Sequence, residues 1–260
     1  MPLPLTLLNE ILASPDDDLP RKNAAQWFRN NTFGTRALFI EKQLSLAVLA
    51  YNPTHKNFEL ESDIQQLLES HIDQWRGLDG LATSIDNVQY HRGFIELITI
   101  SAEIFLQHAP AIFALAPIRH LNLTNVAPVA EALFESPYLE NIVTLSLHKC
   151  DLTDEHMALL ANSPYVGNLR WLSLMLNNFS MTGIESLAKS TSLEQVQYIN
   201  FYGNEVDPTE ELVVEQGVIT QYLLPAEGKF LEENYGPIRW LHVEAELESD
   251  YPPDRFMMVY

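Results

Sequence analysis

Between residues 142 and 206 the apolar positions follow one spacing three times. The segments are Ile142-x-x-Leu145-x-Leu147-x-x-Cys150-x-Leu152, Leu169-x-x-Leu172-x-Leu174-x-x-Asn177-x-Phe179 and Val196-x-x-Ile199-x-Phe201-x-x-Asn204-x-Val206. Apolar residues hold the first, fourth, sixth and eleventh positions, and Asn or Cys holds the ninth. The alternation around the fourth and sixth positions predicts a short strand with one face inward. Degenerate copies stand upstream, at Ile95, Ile98, Ile100 and at Ile118, Leu121, Leu123. With the fourth position as marker (Ile98, Leu121, Leu145, Leu172, Ile199) the spacing is 23, 24, 27 and 27 residues, enough for a helix in each period. Thr182-x-x-Glu185 and Asp207-Pro208-x-Glu210 predict helix starts. Met157, Leu160 and Ala161 match Ile184, Leu187 and Ala188 one period later and predict the buried helix face.

This is the leucine-rich-repeat pattern. It predicts an α/β fold: a short solenoid with parallel strands on the concave side and helices on the convex side, flanked by an N-terminal helical domain and a C-terminal cap. The expected boundaries are 1–92 for the helical part and its connector, 93–207 for the repeats, and 208–260 for an irregular acidic cap. Residues 5–51 carry helical stripes (Leu8, Ile11, Leu12; then Ala24, Ala25, Trp27, Phe28; then Phe39, Ile40, Leu44) broken at Ser14-Pro15-Asp16-Asp17-Asp18. The aspartates read as a solvated turn that caps the helix near Pro20. Ile64, Leu67, Leu68, His71, Ile72 and Trp75 predict a helix in the connector. After Val206 the period fails. One or two helices are expected within 210–235, then a last strand, Ile238-x-x-Leu241-x-Val243, to cover the open end.

Three N-terminal runs have a further likeness: Leu8-x-x-Ile11-Leu12-Ala13-x-Pro15-Asp16-Asp17-Asp18-x-Pro20-Arg21, Ala25-x-Trp27-Phe28, and Arg36-Ala37-x-Phe39-Ile40-x-x-Gln43-Leu44. They resemble the bacterial repeat-companion domain, a short helical segment at the head of repeat-bearing chains. Arg92-Gly93-Phe94-Ile95-Glu96, Leu115-Ala116-Pro117-Ile118-Arg119-His120-Leu121 and Gly236-Pro237-Ile238-Arg239-Trp240-Leu241-His242 are similar to its leucine-rich members. The chain departs from the family at Ala24-Ala25-Gln26-Trp27, where members carry an aromatic-Ala-Asp-Trp run. The resemblance implies architecture and no reaction.

Charge narrows the class of partner. In 260 residues, 15 Lys and Arg face 35 Asp and Glu, a formal charge of −20. Phosphates would be repelled, which excludes nucleic acid, whereas a basic protein would be steered inward. Residues 205–254 hold thirteen acidic side chains against Lys229 and Arg239. One cysteine precludes an internal disulfide. With neither a secretory pattern at the start nor a run long enough to cross a membrane, a cytoplasmic protein is expected. Cys150 reads as a buried ladder residue. No phosphate loop, nucleophile elbow, dinucleotide fingerprint or zinc spacing is present, so no catalytic residue, metal site or cofactor is assigned. An enzymatic alternative would have to draw on Asp16, Asp17, Asp18, His55, His71 and His91.

In the repeat geometry the third, fifth and seventh positions face the concave side. The third-position row is His120, Thr144, Trp171, Tyr198 and Trp240; the fifth is Asn122, Ser146, Ser173, Asn200 and His242; the seventh is Thr124, His148, Met175, Tyr202 and Glu244. Trp171, Met175, Tyr198, Tyr202, Trp240, His148, Asn200 and Glu244 are therefore the expected partner-binding residues, with Trp171 and Tyr202 as surface anchors whose removal spares the fold. The functional expectation is a non-catalytic binding scaffold, most concretely a cytoplasmic inhibitor or immunity protein for a basic toxin, effector or nuclease; a signalling or assembly adaptor is the alternative. Ladder leucines behave differently. Leu172→Ala or Leu174→Ala should each destabilise the fold by about 2–5 kcal/mol, measured by chemical denaturation, because each leaves a cavity.

Overall fold

The computed structural model describes residues 3–49, 55–75, 85–215 and 218–242. Among these the helices are α1 (Leu5–Ala13), α2 (Asp18–Asn30), α3 (Gly34–Leu49), α4 (His55–Trp75), α5 (Ala102–Leu115), α6 (Ala130–Phe134), α7 (Asp154–Asn162), α8 (Met181–Ala188) and α9 (Ala226–Tyr235). The strands are β1 (Asn87–His91), β2 (Phe94–Ser101), β3 (His120–Thr124), β4 (Thr144–Ser146), β5 (Trp171–Ser173), β6 (Tyr198–Asn200), β7 (Glu211–Glu215) and β8 (Val218–Leu223). The fold is mixed α/β. One six-stranded sheet runs β1-β2-β3-β4-β5-β6, and β7 and β8 form a separate pair. Two compact units divide the chain: Met1–Ile98 with His108–Ile118, and Thr99–Gln107 with Arg119–Tyr260.

In the first unit, Ile11, Ala24, Ala25, Phe28, Ala37, Ile40, Leu44 and Phe94 form one buried cluster. The small residues let the helices approach; the large ones fill the space between them. Asp17 caps α2, its carboxylate accepting from the Leu19 N–H at 2.8 Å. The aspartate run therefore serves as the predicted turn and cap. The pattern misses β1. Val88 and Tyr90 are buried while Asn87, Gln89 and His91 are half-exposed, but five alternating residues between two breaks are too few to separate from a loop.

The turn between β1 and β2 is clamped by charge. Arg21, fully buried, lies 2.6 Å from Glu96, which is also buried, and donates to the carbonyls of Pro15, His91 and Arg92. His91 Nδ1 donates to the second Glu96 oxygen at 3.0 Å, and Arg92 approaches the first at 3.4 Å. Arg92 also donates to the carbonyls of Pro15 and Asp16. Burial pushes the Glu96 carboxyl up, but Arg21, His91 and Arg92 outweigh it and hold the group at about 2. Gly93 has φ +88°, and a Cβ there would stand 2.6 Å from Ile40 Cγ1. Its N–H donates to Gln43 Oε1 and its carbonyl accepts from Arg36. Arg36 is buried among the rings of Phe28, Phe39, Trp75, Tyr90 and Phe94, at 5.0–5.9 Å from their centroids. Burial pulls its pKa down to about 10, so it remains a cation at neutral pH.

The second unit is built on regular turns. Strands β3 to β6 are parallel and pair fourth position with fourth: Leu121 with Leu145, Leu145 with Leu172, Leu172 with Ile199. These residues, and Leu123, Leu147, Leu174 and Phe201 at the sixth position, are all buried. The second-position backbones repeat one bond at 2.8 Å, from Val143 N–H to Arg119 O, Arg170 N–H to Val143 O, and Gln197 N–H to Arg170 O. Asn125, Lys149, Leu176 and Gly203, all at the eighth position, have φ of +54°, +53°, +52° and +78°. The ninth-position side chains tie turn to turn. The Asn177 amide oxygen accepts from the N–H groups of Cys150 and Leu152, and its NH2 donates to the carbonyls of Leu147 and Leu174. Asn204 repeats this, accepting from Asn177 N–H and donating to Leu174 and Phe201. The Cys150 thiol, pushed up to about 11 by burial, donates to the Leu123 carbonyl.

Helix starts depart from expectation. Ser180, rather than Thr182, caps α8, and its own N–H and hydroxyl donate to Asp154 at the start of α7. Asp207 accepts from the N–H and hydroxyl of Thr209 in a local turn that leads into β7 rather than a helix. The Leu212-Val213-Val214 and Val218-Ile219 runs are rich in β-branched residues, which favours the antiparallel pair β7 and β8 over a helix there; one helix, α9, follows. Where a last strand is expected, Arg239–Leu241 forms a 3-10 turn, and Val243 lies outside the described residues. The cap is tied down by Glu210 N–H donating to Leu241 O, and by His242 lying 3.0 Å from Glu232 and 3.7 Å from Glu210.

Glu96→Gln tests the clamp. It leaves Arg21 buried without its carboxylate and should cost about 3–5 kcal/mol in urea denaturation. The sign with pH follows from the lowered carboxyl. Wild-type stabilisation by Glu96 is complete above the ordinary carboxylate range near 4.5 and is lost as pH falls toward about 2, so the gap between wild type and Glu96→Gln should close in acid.

Candidate functional site

Parallel pairing sets the third, fifth and seventh positions of β3 to β6 in three rows, and the rows differ in exposure. At the third position His120, Thr144 and Trp171 are buried and Tyr198 is half-buried. His120 Nδ1 and the Thr144 hydroxyl are 2.8 Å apart across neighbouring strands. The Trp171 and Tyr198 rings pack at 4.6 Å between centroids. At the fifth position Ser146 and Ser173 are buried, and Asn122 and Asn200 half-buried. The seventh row is the most open: Thr124 and Tyr202 are exposed, and His148 and Met175 are half-buried, as Tyr198, Asn122 and Asn200 are. The ladder continues to this edge, since Lys149 N–H donates to Met175 O and Leu176 N–H to Tyr202 O, both at 2.9 Å.

Several expected site residues change role. Trp171 is 0% exposed and is a packing residue. Its position on a central strand, with Thr144 on one side and Tyr198 on the other, lets the neighbours remove the large ring from water. Trp240 sits on the 3-10 turn instead of a strand, buried at 5.6 Å from the Phe201 ring, where it covers a sixth-position ladder residue. Asn200 turns its side-chain oxygen to the Tyr202 N–H at 3.0 Å and shapes the backbone beneath that tyrosine. Tyr198 is engaged with Trp171. Glu244 lies outside the described residues. Of the eight, Tyr202, Met175 and His148 remain as neighbours on one open edge, with Tyr202 68% exposed.

The edge has a member that the alternating pattern does not pick out. Leu176, at the eighth position, is 44% exposed, and its side chain lies over Gly203, where a Cβ would collide with Leu176 Cδ2. The signal available in the sequence is the mismatch at that position: Asn125, Lys149 and Gly203 are polar or small, and Leu176 is neither. Asp151 and Glu205, two residues further along their turns, are exposed and make no ion pair among the described residues.

The titratable N-terminal residues are engaged in structure. Asp17 caps α2, Asp16 and Asp18 lie 3.7 Å from Arg92, and His91 is held by Glu96. His71 stacks on Trp75 and its Nδ1 donates to the Leu67 carbonyl. The His55 side chain lies outside the described residues. His242 has its pKa raised, burial opposing and the Glu232 and Glu210 carboxylates outweighing it. Among the described residues no group of three His, Cys, Asp or Glu is disposed to hold a metal ion, and no helix is long and apolar enough to cross a membrane.

Trp171 and Tyr202 should differ in denaturation. Trp171→Ala should cost about 3–5 kcal/mol as a large buried side chain, and Tyr202→Ala should stay within about 0.5 kcal/mol of wild type as a surface one.

No family model, no curated protein and no solved structure matches the chain.

Proposed function

We propose that this chain is a non-catalytic scaffold of the repeat-companion kind, whose residues 93–207 form a short leucine-rich-repeat solenoid and whose partner is a basic protein. The solenoid reading is supported by the equal 2.8 Å bonds between second positions, the left-handed eighth positions and the Asn177 and Asn204 ladder. Cytoplasmic residence is part of the proposal and suits a single buried thiol that serves as a hydrogen-bond donor.

The observation that carries the binding reading is the open seventh-position edge. The edge where Tyr202 is exposed beside the half-buried His148 and Met175 presents side chains from successive turns just past the ends of β4, β5 and β6. The charge of −20 selects cationic partners and speeds their encounter. In its most concrete form the protein is an inhibitor or immunity protein that occupies the surface of a basic toxin or nuclease.

Co-purification from the native host tests this. A basic protein should be retained at low salt and released as ionic strength rises, and the joint change Met175→Ala with Tyr202→Ala should abolish its retention while the melting curve stays in place. Retention only of acidic or neutral proteins, or of none at any salt, removes the reading.

A further inference from the structure

The eighth position of each turn is where the chain bends through the left-handed region, and its occupants are not equivalent. Asn125 and Gly203 take that conformation at little cost. Lys149 and Leu176 take it at φ +53° and +52° with long side chains, which costs more than Asn or Gly would. Of these two only Leu176 is apolar, and it remains 44% exposed, so a large part of its apolar surface stays in water.

Its surroundings are apolar on one side and acidic on the other. Leu176 N–H is bonded to Tyr202 O, its side chain lies across Gly203, and the preceding Met175 stands in the open row beside Tyr202. Gly203 is what makes room for it: any side chain there would meet Leu176. The same turns display Asp151, Glu205 and Asp207 against Lys149. Methionine, leucine and an exposed tyrosine offer an adaptable contact for an apolar side chain and a ring face for a cation.

We propose that Leu176, flanked by Met175 and Tyr202, is the anchor for a basic protein segment that crosses the carboxyl ends of β5 and β6, one apolar side chain of the segment resting on Leu176 and flanking Lys or Arg residues meeting Tyr202, Glu205 and Asp151. This rests on the scaffold reading above and specifies its contact. The leucine is retained at a strained position because its remaining surface is buried only in the complex.

Leu176→Asn distinguishes an anchor from a packing residue. Asn suits the left-handed turn, so relief of strain offsets the loss of a half-buried leucine, and Tm should hold or rise by about 2–4 °C. The full-length chain, wild type and Leu176→Asn, is immobilised and challenged at low salt with a random peptide library displayed on phage. The wild type should enrich peptides with Lys or Arg around an aliphatic or aromatic residue, and the variant should lose that enrichment by about tenfold or more. Equal enrichment by both forms overturns the anchor and leaves the scaffold reading standing. Enrichment of acidic or charge-indifferent peptides by the wild type, or none above a Met175→Ala, Tyr202→Ala control, overturns the site and its occupant. A fall in Tm of more than about 4 °C on Leu176→Asn shows that the leucine serves the free fold, and overturns the proposal as well.

Discussion

The second unit depends on the hydrogen bonds made by the ninth-position side chains. Each turn leaves the ladder at the eighth position in a left-handed bend, which exposes backbone N–H and C=O groups inside the fold where water cannot reach them. Leaving such groups unpaired would cost about 1–3 kcal/mol each. Asn177 answers two N–H groups of the turn before it and several carbonyls with a single amide, and one turn later Asn204 answers one N–H and two carbonyls. At the same position one turn earlier, the Cys150 thiol donates to the Leu123 carbonyl. The strands are only three to five residues long, so without this cross-linking of turns the leucine ladder would have little to hold its register.

The first unit solves the same problem with charge. Arg21 and Arg36 donate to the carbonyls of its tight turn at Arg92-Gly93, and Arg92 reaches from that turn to the carbonyls of Pro15 and Asp16. Burying guanidinium groups is costly unless the charge is answered. Glu96 answers Arg21, and a cage of ring faces answers Arg36. Arg21, Arg36 and Arg92-Gly93, far apart along the chain, thus meet at one turn in space.

In the proposed reading, stability and display compete for the same rows of the sheet. Third-position residues on central strands have neighbours on both sides and become core, as Trp171 does. The seventh position, next to the bend, is where the row opens, and the residues there are free to be chosen for contact. Leu176 marks the boundary between the two demands, since it occupies a position defined by backbone geometry with a side chain that geometry does not favour.

The repeating apolar positions by themselves determined the short parallel strands, their buried fourth and sixth positions, and the structural role of Cys150, Asn177 and Asn204. A period of 24–27 residues repeated in the same side-chain types leaves few other ways to bury those leucines. The N-terminal helices were legible for a different reason, the apolar stripes at helical spacing between residues 5 and 51. Tertiary structure alone decided β1, the β7–β8 hairpin and the turn at Arg239–Leu241, because short segments between breaks carry too few residues for a period to appear. It also decided which aromatic residues face water. Trp171, Tyr198, Tyr202 and Trp240 all lie in the predicted display rows, yet burial is set by what stands on either side of each ring, and that is a property of neighbours in space rather than of spacing along the chain.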